Sequence, residues 1–290
     1  MEIRVEKTAA SCGALVRGVD LSKPLSEEVI GRIRQIWLDN KVIAFPDQEL
    51  SIEDLERFSL YMGPRSEDPF IAPMPGHKHV VEIRREADEK APIFAESWHS
   101  DWSFLPIPPA GTVLYGIEIP PVGGNTLYAD QCAAYDALSS SMKARLEGLN
   151  AIHSARNGYS PKGQYGEKDE GRSMKIITSE SALATREHPL VATHNETGRK
   201  SLFISPAYTI GIAGLPKDEA RDLLKELFAH QVTEPFVYSH RWEKGMLTMW
   251  DNRSVLHAAT GGYEGHRRLL RRITIADRVA MKKAAEAVAA

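Results

Sequence analysis

The chain has 290 residues, 42% of them hydrophobic, and a formal charge of 36 − 39 = −3. That suffices for one large core or two small ones, and the near-neutral balance gives no electrostatic case for nucleic acid or a membrane surface. Two cysteines make no disulfide framework, no run of eighteen apolar residues occurs, and the N-terminus lacks the apolar segment of a signal peptide, so a cytoplasmic protein is expected.

Short strands broken by Gly13 and Gly18 are expected up to about Val19. Ser26 precedes Glu27 and Glu28 as an N-cap, with Val29, Ile33, Ile36 and Trp37 on one helical face. Residues 41–45 read as a buried strand stopped by Pro46-Asp47. Ser51, with Asp54 three residues on, caps a second helix whose stripe is Leu55, Phe58 and Met62 and whose end is Gly63-Pro64. From Pro69 to Pro75 the chain is irregular and proline-rich, the kind of loop that lines or covers a site. Strands are expected at 112–119 and 125–128 around a turn at 120–124, then one or two helices over 133–149 with Ser139 as an internal cap.

Residues 158–186 are polar, glycine-containing and without clean periodicity, which fits either a mobile cover that closes over a substrate or a solvated insertion. Residues 190–193 and 201–204 bracket a hairpin, and Pro216 opens an amphipathic helix running to Phe228. Strands at 236–242, 246–250 and 268–275 follow, and the tail from Val279 reads as a frayed helix. No repeat or linker divides the chain, so a single domain over 1–290 is expected: mainly β, with a sandwich or jelly-roll core and flanking helices.

The stretch Trp98-His99-Ser100-Asp101 carries the clearest chemistry. On a strand, period-2 alternation points His99 and Asp101 to one face, where an imidazole nitrogen and a carboxylate suit a divalent metal. Two ligands are too few. Of the ten histidines, His257 is the best third, because it follows the buried run Met249–Arg253 and the small Ala258 and Ala259 leave room beside it. Two histidines and one carboxylate form the triad that leaves three positions open in non-haem Fe(II) oxygenases, although the bare pattern also arises by chance. The other histidines, including His77 and His79 in a Pro-Gly loop, carry no such pattern.

The strand at 268–275 adds a second signal. Arg268, Leu270, Arg272 and Thr274 share one face; Arg267, Leu269, Arg271 and Ile273 share the other. In a core strand at least one arginine pair points inward, and a buried arginine needs an anion. Two such arginines near a metal suggest two carboxylate-like groups, one on a cosubstrate and one on the substrate. An exposed basic strand paired with acidic neighbours is the alternative.

Trp98-His99-Ser100-Asp101, Pro108-Pro109-Ala110, Gly123-Gly124-Asn125-Thr126, Ala134-Tyr135-Asp136-Ala137-Leu138, Trp250-Asp251-Asn252-Arg253 and Arg267-Arg268 together resemble the taurine dioxygenase/dichlorophenoxyacetate dioxygenase family, from about Ala14 to Ile275. The resemblance implies an Fe(II)- and 2-oxoglutarate-dependent oxygenase with a double-stranded β-helix, consuming O₂ and releasing succinate and CO₂. It implies iron on His99, Asp101 and His257, the distal carboxylate of 2-oxoglutarate on Thr126 and Arg268, and no catalytic side chain beyond the metal centre.

By the same resemblance Arg272 grips the sulfonate or carboxylate of a small anionic substrate, and assembly is as a homodimer or homotetramer. The chain departs from the taurine enzymes at Phe70 and at Gly158-Tyr159, and Tyr208 falls at a further aromatic pocket position. Phe70, Tyr159 and Tyr208 thus suit an acid with an aromatic or apolar body. Hydroxylation beside an ether oxygen, sulfur or sulfonate would end in cleavage. Two competing readings are a silent jelly-roll that binds a small anion, against which the intact ligand set argues, and a zinc hydrolase, which leaves Arg268 and Thr126 without a purpose.

Overall fold

The computed structural model describes residues 2–66, 68–167 and 169–289; Met1, Glu67, Lys168 and Ala290, which fall within the single-domain span expected above, lie outside the described residues. In chain order the elements are β1 (Arg4–Lys7), β2 (Ala14–Arg17), α1 (Glu27–Asn40), β3 (Val42–Phe45), α2 (Ile52–Met62), β4 (Val81–Arg85), β5 (Gly111–Glu118) and β6 (Thr126–Asp130). Next come α3 (Gln131–Asp136), α4 (Ser140–Leu146), β7 (Asn150–Ser154), α5 (Arg156–Tyr159), β8 (Thr185–Pro189), β9 (Val191–Thr193), β10 (Lys200–Leu202), β11 (Thr209–Ile212) and α6 (Lys217–His230). The last are β12 (Val237–His240), β13 (Leu247–Asp251), β14 (Val255–Ala259), β15 (Arg268–Ile275) and α7 (Arg278–Ala289).

The caps form as the sequence predicts. The Ser26 hydroxyl accepts from the Val29 amide, Ser51 and Asp54 close a reciprocal capping box, and the Ser139 hydroxyl accepts from the Met142 amide to start α4.

Seven strands form one large sheet in the order β1-β2-β3-β13-β5-β15-β4, and three form a smaller sheet in the order β12-β6-β14. Alternation along the central strands explains how the large sheet is covered on both faces. Leu247 and Met249 of β13, Val113 and Tyr115 of β5, and Ile273 and Ile275 of β15 pack with Ile33, Trp37, Leu55 and Phe58 of α1 and α2. The intervening Trp250, Leu114 and Leu270 meet Tyr128 and Val255 of the small sheet together with Trp242. This is the jelly-roll, and its inner face is where the even-numbered residues of β15 must point. Truncating a fully buried core leucine such as Leu247 or Leu55 to alanine costs about 2–5 kcal/mol.

Five strands were not anticipated: β4, β7, β8, β11 and β14. β4 (VEIRR) lies at the sheet edge and β8 is exposed along most of its length, so polar residues occupy both faces and mask the period of two. The segments at 236–242 and 246–250 do form strands, but not a hairpin: β12 pairs with β6 while β13 pairs with β3 and β5, so residues 243–245 carry the chain between sheets.

Parts of the segment 158–186 pack against the rest of the chain. Ile177 donates its amide to the Phe70 carbonyl at 2.8 Å, Ala72 to the Lys175 carbonyl at 3.0 Å, and Arg84 Nη2 donates to the Ser173 carbonyl at 2.8 Å. Tyr159, Met174 and Ala182 are buried in one apolar cluster with Phe70, Trp102, Phe104 and Tyr208. Among the described residues no helix is long and apolar enough to cross a membrane.

Candidate active site

His99 and His257 are joined through their own backbones. The His99 amide donates to the His257 carbonyl at 3.0 Å and the reverse bond is 2.8 Å, forming a single antiparallel bridge outside the named strand pairs. Their imidazole centroids are 4.1 Å apart. Asp101 Oδ1 lies 3.7 Å from both Nε2 atoms, and one donor atom of each residue falls within 4.8 Å of the others. Two atoms that each sit about 2.1 Å from one ion are at most about 4.2 Å apart, so the 3.7 Å separations of Asp101 from the two histidines suit a shared small cation.

The reason for the convergence is not the one read from the sequence. His99 and Asp101 do not share a strand: His99 sits in an isolated bridge and Asp101 opens a turn in which Trp102 adopts φ +48°. Asn252, just after β13, holds that turn. Ser100 Oγ donates to its carbonyl at 2.7 Å, and its side-chain oxygen accepts from Trp250 Nε1 at 3.0 Å. Asn252 Nδ2 donates to Thr112 Oγ1 at 3.1 Å, and Thr112 in turn donates to Asp101 Oδ2 at 2.6 Å, leaving Oδ1 aimed at the two histidines.

His99 Nδ1 lies 2.8 Å from the Ser97 carbonyl. A carbonyl only accepts, so Nδ1 carries the proton and Nε2 presents its lone pair to the centre. Burial lowers the pKa of His99, and burial with the neighbouring His99 ring pushes His257 down to about 3. Two neutral imidazoles and a carboxylate around one point have no proton to share among them. This donor set fits Fe(II).

Arg268 and Arg272 both point from β15 into the inner face, as the period-2 reading requires, but their surroundings differ. Arg268 is buried; its Nη2 donates to the Gly124 carbonyl at 3.3 Å and its Nε has no partner among the described residues. Its guanidinium lies 6.0 Å from the ring centre of Trp242 and 5.9 Å from that of Tyr263. No carboxylate among the described residues forms an ion pair with it, and burial pushes its pKa below the ordinary value. Thr126 Oγ1 accepts from Trp242 Nε1 at 2.9 Å. One cleft is lined by Thr126, Arg268, Tyr263, His99 and His257. Gly124 keeps it open: its φ is +66°, and a Cβ there would stand 3.2 Å from Arg268 Nε.

Arg272 already has an anion. Its Nη2 pairs with Asp68, its Nη1 is 3.6 Å from Asp101 Oδ1, and its guanidinium lies 5.2 Å from the Trp102 ring centre. Asp68 also accepts from Trp102 Nε1 at 2.9 Å. Tyr159 and Tyr208 line a second cavity that shares His99 with the first. Phe70 backs this wall, stacked on Tyr159 at 4.8 Å, and Tyr208 stands edge-on to His99 at 5.9 Å. Sequence reasoning missed Asp68, Thr112, Asn252, Trp242 and Tyr263. Only Asn252 and Asp68 carried a signal, the first inside Trp250–Arg253 and the second at the edge of the proline-rich loop.

The model of the family described as "Taurine catabolism dioxygenase TauD, TfdA family" matches residues 4–274. The alpha-ketoglutarate-dependent 2,4-dichlorophenoxyacetate dioxygenase of Cupriavidus pinatubonensis is 35% identical over 278 residues, 90% of this chain and 93% of that one. An alkylsulfatase of Acinetobacter baylyi is 30% identical, over 96% of this chain and 86% of that protein. The solved structure of AAD-2 in complex with Mn(II) and N-oxalylglycine superposes with a TM-score of 0.78 at 31% identity, covering 95% of this chain and 98% of that one. The chain therefore belongs to the taurine catabolism dioxygenase TauD, TfdA family and is a 2-oxoglutarate-dependent dioxygenase that uses Fe(II) and O₂.

Proposed function

We propose that this dioxygenase hydroxylates a small organic anion, a carboxylate or sulfur oxyacid with an aromatic or apolar body, and that His99, Asp101 and His257 hold its iron. Thr126 and Arg268 bind the distal carboxylate of 2-oxoglutarate; Arg272, Tyr159, Tyr208 and, behind them, Phe70 form the substrate side. The observation that carries this reading is Arg268, a buried guanidinium with no carboxylate partner among the described residues, in the same cleft as His99 and His257. When bound, iron with 2-oxoglutarate and O₂ supplies the oxidising power that puts one oxygen atom into a C–H bond and the other into succinate, with loss of CO₂.

The chain's own contribution is placement. Thr112 and Asn252 fix the Asp101 carboxylate, Ser97 fixes the tautomer of His99, and Arg172 and Met174 wall the cleft on the side of the 158–186 segment. The aromatic wall gives an apolar body one face of the second cavity, beside His99. If the hydroxylated carbon bears an ether or sulfate oxygen, the product is a hemiacetal or its equivalent, which collapses with cleavage. The relatives named for a phenoxyacetate and for alkyl sulfates support both the anion and this outcome.

The test is iron-dependent succinate release, stoichiometric with substrate, across a panel of phenoxyacetates, alkyl sulfates and sulfonates. A panel that yields no substrate-dependent succinate refutes the substrate class. If iron-dependent 2-oxoglutarate binding is missing as well, the assignment of the cleft also fails.

A further inference from the structure

We propose that Asp68 is a specificity-determining residue of the substrate site. Its carboxylate holds Arg272 as an internal anion, and the anionic group of a substrate binds by taking its place. The proposal rests on Arg272 being the substrate arginine.

Arg272 already faces two carboxylates, Asp68 on Nη2 and Asp101 3.6 Å from Nη1. One guanidinium against two carboxylates is already one charge negative, and a third anion would raise that to two in a buried place, where unpaired charge is strongly unfavourable. Either the substrate brings no charge to Arg272 or one carboxylate leaves. Asp101 is tied by Thr112 and belongs to the triad. Arg272 is locked in β15 between β4 and β5. Asp68 is the group free to go. It lies outside every helix and strand, on a part-exposed stretch of chain whose neighbours Ser66 and Phe70 are separately tied to Thr274 and Ile177. Only its side chain, 3% exposed, is turned inward. Rotation about its own side-chain bonds moves the carboxylate out while the strands stay in place.

The pair also shows what fits there. Arg272 accepts a carboxylate oxygen over the Trp102 ring, and Trp102 Nε1 donates to that same oxygen at 2.9 Å. Thr274 Oγ1 donates weakly to it as well, at 3.4 Å, and a substrate carboxylate or sulfur oxyanion in that position inherits all three donors. Binding is then an exchange of one anion for another, so Asp68 raises the dissociation constant of every anionic substrate and leaves uncharged analogues unaffected.

The test uses the full chain loaded anaerobically with Fe(II) and 2-oxoglutarate, so that no turnover occurs, and calorimetric titration with phenoxyacetate and its uncharged analogue phenoxyacetamide. Asp68→Asn keeps the shape and removes the charge. It is expected to bind phenoxyacetate about tenfold or more tighter than the native chain, with phenoxyacetamide unchanged and the gain absent in the Asp68→Asn/Arg272→Gln double variant. Asp68→Ser should give the same sign should Asp68→Asn fold poorly. A variant that binds phenoxyacetate no better than the native chain, or not at all, overturns the proposal, as does an equal gain for the amide. If Arg272→Gln alone leaves phenoxyacetate affinity unchanged, the proposal falls because Arg272 is not the substrate arginine, while succinate formation in the panel assay still stands or fails on its own.

Discussion

Replacing Arg268 with methionine should move stability and ligand binding in opposite directions. The guanidinium is buried and, among the described residues, is bonded only to the Gly124 carbonyl and has no carboxylate partner. Replacing buried charge with well-packed apolar groups of similar volume is neutral or stabilising by about 1–4 kcal/mol. The rings of Trp242 and Tyr263 return part of that to the arginine, about 0.5–2 kcal/mol. Arg268→Met in chelator-treated protein without 2-oxoglutarate should therefore melt at the same temperature as the native chain or a few degrees higher, at about 2–4 °C per kcal/mol. With Fe(II) restored under argon, 2-oxoglutarate affinity should fall by about 2–5 kcal/mol, the cost of removing one side of a buried ion pair. Differential scanning fluorimetry and anaerobic titration read the two quantities separately. A variant that melts several degrees lower and binds 2-oxoglutarate as before would mean that Arg268 has a structural task and that the cosubstrate lies elsewhere.

Two further outcomes follow from the same geometry. Thr112→Val is isosteric but deletes the hydroxyl between Asp101 Oδ2 and Asn252 Nδ2; metal affinity, measured by competition with a chromogenic chelator, should drop about 10- to 100-fold, with the fold intact by circular dichroism. Burial, with His188 beside the one and Arg268 beside the other, pushes His153 and His240 down to about 3. Below an ordinary histidine pKa of about 6.5 the unfolded chain takes up these two protons and the folded chain does not, so stability is fully present above that pH and is lost as pH falls towards 3. The pair contributes a loss of roughly 2.7 kcal/mol per pH unit near pH 5, and urea unfolding should show the slope smaller by about 1.4 kcal/mol per pH unit in His153→Gln. An unchanged slope refutes the linkage.

Much of this was legible where a single local rule decided the outcome. The caps at Ser26, Ser51 and Ser139 follow from side-chain hydrogen bonding over three residues. The inward turn of Arg268 and Arg272 follows from the period of a strand. His257 could be paired with His99 because few histidines followed a buried strand with small neighbours. What stayed hidden depends on groups far apart in the chain. Asp68 and Arg272 meet only because the irregular stretch after α2 runs across the end of β15, which no local pattern encodes. Thr112 reads as an ordinary strand residue, and its task appears only when β5 is laid beside β13. The face-sharing of His99 and Asp101 was anticipated for the wrong reason, since a turn with Trp102 in the left-handed region does what a strand was expected to do.

The unequal surroundings of the two arginines also determine where affinity for each small molecule comes from. With 2-oxoglutarate bound as proposed, its carboxylate gains a new partner in Arg268, so charge dominates. With substrate bound as proposed, its head group replaces Asp68, one carboxylate-like partner of Arg272 for another, and the electrostatic gain is close to nil. Selectivity must then come from the body of the molecule against Tyr159, Tyr208 and the aromatic cluster behind them. In a series of alkyl sulfates of increasing length, binding free energy should improve by about 0.8 kcal/mol for each methylene buried until the cavity is filled, and should depend little on ionic strength. In Asp68→Asn the whole series should shift to tighter binding with the same slope. A series that is flat in chain length and steep in salt would show that charge at Arg272, rather than apolar burial, selects the substrate.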